Sequence, residues 1–540
     1  MPSIKLDGKE IPFEKGDTII RAAWRQGLEI PHYCWHPGLS VAANCRMCLV
    51  EIEPTATRRQ MILDVLVWDH EKQDYVPGKK PKLEPSCQVE CIDGMSIKSD
   101  TSAPVAVARK SVQEYLLLNH PVDCPICDQA GECRLQDYWL SEGKYHKRMH
   151  DEIVHKPKAV SFGDTIVYDA ERCIVCTRCV RFMDEVAKDP VLDKRERGNL
   201  SEIVVSPGRV LEGHYTMMVD EVCPVGALTT KDFRFKARVW FLRRVPSICP
   251  GCATGCNSWL EYDPRTGEVP RLRPRDNEQV NKYWMCDDGV LTHRRVQERR
   301  VLSASIGKGG ARKETSPILA LKAAADALRS AKGGKLGVIL SAQRSTEDNF
   351  ALAYVARTFL DVSDLYLSKL ADWDGDDVLR SNDHNPNVAG AKAAARGTVR
   401  ELPDIVESVA SGEITTLIAL GGHMDLDDIT AGALGRAKII VIAANEGPLT
   451  AIADVLLPAA SWAEQDGSFI NRQGLSQRFE AGPRPAGDSL AGWEIVARLA
   501  RSMGHPLTWR TLKDVRAAMK ASLASAAASP TPSPAASPAE

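Results

Sequence analysis

The stretch HPVDCPICDQAGEC, His120–Cys133, places one imidazole and three thiolates, His120, Cys124, Cys127 and Cys133, in a segment too short and too polar to pack a core of its own. Four soft donors in so little chain predict a metal centre. Pro121 and Pro125 stop a helix from running through, so the backbone can curl its side chains inward around something compact. Three cysteines and a histidine are also a zinc ligand set, which leaves a structural zinc ion open beside an iron–sulfur cluster. Upstream, VAVARKSVQEYLLL (105–118) has the composition of a helix that delivers His120, ended by Asn119 and Pro121. A lone histidine there would ordinarily cap the helix or sit in the core; three cysteines in want of a fourth partner favour ligation.

Working outward, the cysteines fall into further groups. Towards the N-terminus, SIKLDGKEIPFE (3–14) alternates loosely and turns at Asp7-Gly8, a good hairpin signal. Asp17 and Thr18 are placed to cap a helix over 19–26 that Gly27 closes, and a hairpin followed by a helix is how a small β-grasp domain begins. Next come Cys34, Cys45, Cys48 and a distant Cys87 or Cys91, a close pair with outliers like the ferredoxin [2Fe-2S] pattern, though the first gap is wider than in the plant type. Beyond the opening stretch, Cys173, Cys176 and Cys179 in RCIVCTRCVRF, with Cys223 in CPVGAL, form a CxxCxxC triplet with a remote Cys-Pro. That is a [4Fe-4S] signal, because the short spacing wraps three thiolates onto one face of a cubane. In two-cluster ferredoxins the Cys-Pro cysteine serves the other cluster, so Cys223 belongs either here or with His120. The last group, Cys249, Cys252 and Cys256 closed by Cys286 in WMCDDG, has the spacing of the cluster-bearing leader of molybdopterin oxidoreductases.

The bulk properties narrow the classes. All 16 cysteines lie between Cys34 and Cys286. The N-terminus lacks an apolar export region, so disulfides are not expected. Leaving one of Cys87 and Cys91 aside, fifteen cysteines and His120 make sixteen ligands, enough for four clusters of four. A net charge of −2 argues against nucleic-acid binding. There is no apolar run near the ~20 residues that a span needs, so any membrane association must come through partners. Basic residues crowd the region after Cys223, at Arg234, Lys236, Arg238, Arg243, Arg244, Arg271, Arg273 and Arg275; a solvated face is the plainer reading, compensation of cluster charge or docking of a neighbour the other.

From about residue 301 the composition turns to Ala, Leu and Val. Ser316-Pro317 predicts the start of a helix to about Ser330; KLGVILS (335–341), TTLIALGG (415–422) and KIIVIAA (438–444) read as buried strands, with a helix over 347–360, so a parallel α/β sheet is expected. Gly421-Gly422 reads as a tight turn rather than a phosphate loop, since no GxGxxG accompanies it. The tail, 521–540, is Ala/Ser/Pro-rich and predicted to be disordered. No nucleophile–base set and no flavin or nicotinamide motif is present, so the chemistry expected is electron conduction through clusters.

The combination resembles the large iron–sulfur subunit of respiratory complex I, the proton-pumping NADH:quinone oxidoreductases. The segments that carry the resemblance are PHYCWHPGLSVAANCRMCLVEIE, SCQVECIDGM, NHPVDCPICDQAGECRLQD, RCIVCTRCVRF with EVCPVGAL, and CPGCATGC with WMCDDG. It implies one [2Fe-2S] cluster on Cys34, Cys45, Cys48 and Cys87, with Cys91 left out, and [4Fe-4S] clusters on His120, Cys124, Cys127 and Cys133, on Cys173, Cys176, Cys179 and Cys223, and on Cys249, Cys252, Cys256 and Cys286. It further implies an α+β multidomain chain. A [2Fe-2S] ferredoxin-like domain would occupy 1–100, a His/Cys [4Fe-4S] domain 101–140, and a ferredoxin-like [4Fe-4S] domain 141–240. The Cys-rich leader would follow over 241–300, and an α/β molybdopterin-oxidoreductase-like domain over 301–520. Electrons would arrive from a flavin- and NADH-binding subunit and leave to a ferredoxin-like subunit among the other peripheral-arm subunits, on the cytoplasmic side of a bacterial inner membrane. The second half, as in ADVLLPAASWAEQDGSFINRQGLSQ, departs from active molybdenum enzymes. It is short, it has no cysteine, and Asp288 stands where formate dehydrogenases commonly carry lysine, so no molybdopterin is expected. The alternative is an NAD-linked formate dehydrogenase or hydrogenase subunit, which would need a competent metal site of its own.

Overall fold

The computed structural model describes residues 2–55, 59–146, 148–331, 335–422, 424 and 426–527. The chain divides into two compact units, Met1–Trp240 and Phe241–Glu540.

The first unit opens with the predicted hairpin. β1 (Ser3–Leu6) pairs antiparallel with β2 (Lys9–Pro12), turned by Asp7 and Gly8 at φ of 48° and 84°. Both values are left-handed, as a two-residue hairpin turn requires. α1 (Ile19–Arg25) packs Ile19, Ile20, Ala22 and Ala23 against Ile4, Leu6 and Ile11 of the sheet. It ends one residue earlier than expected, and Gly27 at φ 68° follows it. The expected cap needs correction: Thr18 occupies the N-cap, but its hydroxyl makes no capping bond, and Asp17 accepts instead from the Glu14 N–H at 2.9 Å and from Arg25 at 3.0 Å. β3 (Leu49–Ile52) follows, then a ribbon of β4 (Ile62–Asp69) and β5 (Asp74–Pro81) that the sequence reading missed. With β6 (Leu83–Pro85) and β7 (Ser96–Lys98) the sheet order is β2-β1-β7-β3-β6, in which only the β1–β7 pair is parallel.

α2 (Ala103–Leu117) starts on a Ser102 cap and is tied down by Arg109, which is 2% exposed and reaches Ser99, Asp100 and Glu142. It leads to the His120 loop and α3 (Arg134–Glu142). The remainder of this unit holds β8 (Val160–Phe162), β9 (Ile166–Tyr168), α4 (Arg178–Glu185), β10 (Leu192–Arg195), β11 (Glu202–Val205), α5 (Met218–Val222) and β12 (Leu228–Thr230). β12, β9 and β8 form one antiparallel sheet, and α4 packs on α5.

The second unit begins with an antiparallel sheet of β13 (Arg243–Ile248), β14 (Asn257–Tyr262) and β15 (Arg271–Pro274), then the short α6 (Asp287–Val290) after Cys286. β16 (Ser305–Ile306) and β17 (Lys313–Glu314) lead into α7 (Pro317–Ser330), which starts at the predicted Ser316 cap. β18 (Leu336–Ser341), α8 (Thr346–Phe359), β19 (Leu365–Ser368), α9 (Val388–Ala395), β20 (Val399–Glu401), α10 (Leu402–Ala410), β21 (Thr416–Leu420), α11 (Asp428–Leu434), β22 (Lys438–Ala443), α12 (Pro448–Ala451) and β23 (Val455–Pro458) then alternate. The six strands lie parallel in the order β20-β19-β18-β21-β22-β23, with β16 and β17 antiparallel at the far edge. Val338 and Leu340 face one hydrophobic layer and Ile339 the other, which is why these strands read as unbroken apolar runs. A β24 (Gly467–Ile470) and β25 (Ser476–Phe479) ribbon, α13 (Gly492–Ser502) and α14 (Leu512–Ala527) complete the unit. α14 corrects the disorder expected from residue 521, because Ala521–Ala527 continue the helix. Alanine is the strongest helix former, and a run of it sustains a helix where composition alone suggested none. Residues 528–540 lie outside the described residues. Among the described residues no helix is long and apolar enough to cross a membrane.

Asp7 does more than turn the hairpin. Its carboxylate accepts from the N–H groups of Ser99 (2.9 Å), Asp100 (3.1 Å) and Thr101 (3.2 Å) and from the Thr101 hydroxyl (2.6 Å). Burial pulls this carboxyl up, but those donors outweigh it and hold it below the usual range. Asp7→Ala strands these donors and is expected to cost about 1–3 kcal/mol; anaerobic urea denaturation followed at the first unit measures the loss.

Candidate metal centres

At the Cys34 site the ligand loop between α1 and β3 turns back on itself through Ala43 and Arg46, at φ of 50° and 59°. This brings Cys34 against Cys45, and Cys48 against Cys87. Cys34, Cys48 and Cys87 are 1%, 2% and 0% exposed. The Cys45 thiol donates to Cys34 and, against the effect of burial, holds it down to about 5, helped by the N–H groups of Cys45 and Asn44 and by Arg181. Cys87 does the same for Cys48, which sits at about 7, and the two donor thiols are pushed far up. Cys91 stands apart: its N–H donates to the Asp17 carbonyl at 2.8 Å, and burial with Asp17 pushes its thiol to about 12. The geometry therefore gathers Cys87 with the other three and leaves Cys91 out.

At the His120 site a single cavity of about 420 Å3 is lined by His120, Cys124, Cys127, Cys133, Arg172 and Gly226. A 3-10 turn over Cys124–Ile126, with Pro125 inside it, curls the loop as its prolines suggested. Burial, then Arg172, lowers His120 to about 4, so the imidazole is neutral and its lone pair is available for a metal. Burial raises Cys127, and raises Cys133 to about 11, the cost of holding thiolates here without a cation bound to them. A Cβ added at Gly226 would lie 2.2 Å from Cys127 Sγ, so the backbone approaches this thiol as only glycine allows.

At the Cys173 site Val175 and Thr177 adopt φ of 52° and 60°, left-handed conformations that wind the CxxCxxC loop before α4 begins. The Val175 N–H donates to Cys173 Sγ at 3.3 Å, and Cys223 Sγ lies 2.9 Å from the Val225 carbonyl. Burial raises Cys179, with Cys176, Cys173 and Cys223 adding to it, and Cys223 in turn feels Cys176 and Cys173. Cys223 thus sits with the triplet and not among the His120 thiols. Its Pro224 nevertheless reaches the neighbouring site, where its carbonyl accepts from the Arg134 N–H at 3.2 Å and lies 4.0 Å from Cys133 Sγ.

In the second unit Cys249, Cys252, Cys256 and Cys286 are all buried, at 4–5% exposure. The N–H groups of Gly251 and Gly289 point at Cys249 Sγ (3.4 Å) and Cys286 Sγ (3.3 Å). A Cβ at Gly289 would stand 3.1 Å from Cys249 Sγ and 3.4 Å from Cys286 Sγ. Burial, then Cys249 and Cys252, holds Cys286 well above its ordinary value. Among the described residues no three Cys, His, Asp or Glu side chains converge on the point a single ion would occupy; ligands around a cubane each bind a different iron and those around a [2Fe-2S] cluster share an iron only in pairs, so either set stands farther apart than the ligands of one ion.

The basic residues after Cys223 engage partners of several kinds. Arg271 pairs with Glu261 at 2.6 Å, and Arg244 and Arg275 lie over Trp259. Of that group Arg238 reaches a cluster loop, donating to the Cys127 carbonyl at 2.7 Å, and Arg234 acts on Asp128 of the same loop. The cations beside the thiols include Arg172, Arg178, Arg181 and Arg295, with Lys156 near Cys173. The first three flank the cysteines of RCIVCTRCVRF, and that adjacency was the available signal.

The doubly wound strand order of the second unit places a crevice at its switch point, between the ends of β18 and β21. Ser341, Arg344, Gly421, Gly422, Asn445 and Arg295 line a cavity there of about 60 Å3. Gly421 takes φ 77°, as a tight turn demands.

These sites and folds define an iron–sulfur protein with a ferredoxin-like front and a molybdopterin-oxidoreductase-like second unit. Family models match in that order. Residues 2–102 match a 2Fe-2S iron-sulfur cluster binding domain, 109–148 the NADH-ubiquinone oxidoreductase-G iron-sulfur binding region, and 163–229 the ferredoxin-like domain of NADH-quinone oxidoreductase subunit 3. Residues 242–298 match the molybdopterin oxidoreductase Fe4S4 domain and 382–502 molybdopterin oxidoreductase. The chain is a relative of the G subunits of NADH-quinone oxidoreductases. It is 35% identical to that of Streptomyces coelicolor over 367 residues, 67% of this chain and 40% of the other. It is 36% identical to that of Rickettsia felis over 395 residues (73% and 54%) and 34% identical to that of Mycobacterium bovis over 371 residues (68% and 43%). The aligned part is thus about half the length of these relatives or less. A solved NAD+-reducing [NiFe]-hydrogenase in the H2-reduced state is similar at 25% identity and a TM-score of 0.35, over 44% of this chain and 91% of that one.

Three substitutions probe the sites. Gly226→Ala drives a methyl group into Cys127 Sγ and is expected to remove about four irons per chain, read by iron analysis. Cys91→Ser should leave the [2Fe-2S] EPR signal of the reduced protein intact, whereas Cys87→Ser should abolish or reshape it.

Proposed function

We propose that this chain is the iron–sulfur electron-relay subunit of an NADH:quinone oxidoreductase. It would take electrons from a flavin-bearing, NADH-oxidising subunit and pass them through a ferredoxin-like subunit towards quinone, with proton translocation elsewhere in the complex. Cys34, Cys45, Cys48 and Cys87 would hold a [2Fe-2S] cluster, and the His120, Cys173 and Cys249 sites one [4Fe-4S] cluster each. Such clusters exchange single electrons with little rearrangement, so the protein's part is to space them, shield them and set their potentials.

One observation carries this reading: three four-ligand sites adjoin in the first unit. Cys34 and Cys176 feel one another's charge, and the Pro224 carbonyl joins the Cys173 site to Cys133. That succession, from the Cys34 site through the Cys173 site to the His120 site, would give electrons a path through the unit. A neutral imidazole at the last site leaves one less negative charge on its cluster than four thiolates would, which favours reduction there. The complex would sit at the cytoplasmic face of a bacterial inner membrane, this chain being attached through its partners.

The second unit serves as a scaffold in this reading, without molybdopterin. The crevice of about 60 Å3 is several-fold smaller than the ~300 Å3 at the low end of ligand pockets. Asp288, where a lysine would be expected, is engaged by Arg380 at 3.1 Å. No cysteine follows Cys286 to ligate a metal.

The test is reduction by NADH. Co-purified with its flavin-bearing neighbour, the chain should show its clusters reduced on NADH addition, and alone it should not respond to NADH or formate. Molybdenum or tungsten in the purified protein together with formate-dependent dye reduction would overturn the proposal. His120→Cys should keep its cluster and lower that cluster's potential in an EPR redox titration; an unchanged titration would count against ligation by His120.

A further inference from the structure

Arg178 lies between two thiolate sets with no anion of its own. It stands in the CxxCxxC loop between Cys176 and Cys179, and it is 5% exposed. One guanidinium nitrogen donates to the Trp35 carbonyl, beside Cys34; the other donates to the Val222 carbonyl, beside Cys223, at 3.4 Å. Its Nε has no hydrogen-bond partner among the described residues. One turn along α4, Arg181 donates to the carbonyls of Ser40, Cys34 (2.6 Å) and Cys176 (3.3 Å). Every acceptor is a neutral carbonyl, and the charges these two cations feel most directly are the sulfurs of Cys34 and Cys176. A buried cation without a counter-ion costs several kcal/mol, so the fold has set this charge where an anion belongs.

Resting on the reading that these two sites carry clusters, we propose that Arg178, with Arg181 at its edge, is a fixed counter-charge shared by the Cys34 and Cys173 clusters that raises the reduction potential of both. Each electron added makes a cluster more negative, and a positive charge fixed nearby in a poorly polarisable interior stabilises the reduced form more than the oxidised form. Because one guanidinium faces both sites, it also screens the two reduced clusters from one another. An electron can then occupy either without expelling its neighbour, which suits a relay in which successive electrons follow closely. The Arg178 backbone N–H bonds Cys176, but its guanidinium reaches only carbonyls and acts on the sulfurs through the field.

The experiment is an EPR-monitored redox titration of the holoprotein. In Arg178→Gln both clusters should still assemble, and the one-electron reduction of each should become harder by about tenfold, about 59 mV downward. The His120-site cluster should move less, and Arg178→Lys should restore most of the shift. Intact signals with both potentials unchanged in Arg178→Gln would overturn the proposal. If Arg178→Gln fails to assemble its clusters, Arg181→Gln decides: a smaller downward shift of both supports the proposal, and no shift overturns it. Absence of the two signals from the unsubstituted protein would instead remove the cluster assignment on which the proposal rests.

Discussion

Buried thiols set against buried cations are the arrangement on which this molecule depends. Cys34, Cys48, Cys87, Cys176 and Cys179 sit at 8% exposure or less, among arginines whose acceptors are backbone carbonyls. Neither group is satisfied by the protein alone, since thiolates are costly without a metal and guanidinium groups are costly without an anion. An anionic cluster bound through the thiolates resolves both at once. The left-handed residues at Ala43, Arg46, Val175 and Thr177 are then conformational costs accepted in order to wind short loops around such a body.

The architecture of the first unit follows from holding three such loops in series. α2 links two of them: Arg109 fastens it to the ferredoxin-like sheet, Gln113 bonds the Tyr33 hydroxyl beside Cys34, and its C-terminus releases the chain into the His120 loop. The Cys-Pro turn after α5 is shared, since its cysteine serves the Cys173 set while its proline carbonyl backs onto Cys133. Shared walls of this kind keep successive sites adjacent without a long linker. The second unit is organised differently, around a parallel sheet buried on both faces, with the Cys249 site assembled from the loops of its small antiparallel sheet and the start of α6.

Much of this was legible from local chemistry. The Asp7-Gly8 turn, the Ser316 cap and the unbroken apolar strands each state their structure within a few residues, and closely spaced cysteines announce a shared ligand cage. What could not be read depended on contacts distant in sequence. Cys87 and Cys91 are four residues apart, and what distinguishes them is distant in sequence: Cys91 bonds its backbone to Asp17, while Cys87 lies against Cys48. The β4–β5 ribbon escaped notice because β5 carries two prolines, a glycine and two lysines, which hide a partner for the alternating Val65 and Val67 of β4. Arg172, Arg178, Arg181 and Arg295 were not singled out, because burial is not written in sequence. Ala521–Ala527 was misjudged by weighing composition above helix propensity.

The central claim is that iron–sulfur clusters occupy these cages. The most direct measurement is the content of iron, acid-labile sulfide and zinc per chain after anaerobic purification. About fourteen irons, two from one [2Fe-2S] cluster and twelve from three cubanes, with matching sulfide are predicted. A folded protein that holds zinc at these sites, or no metal at all, would contradict the account.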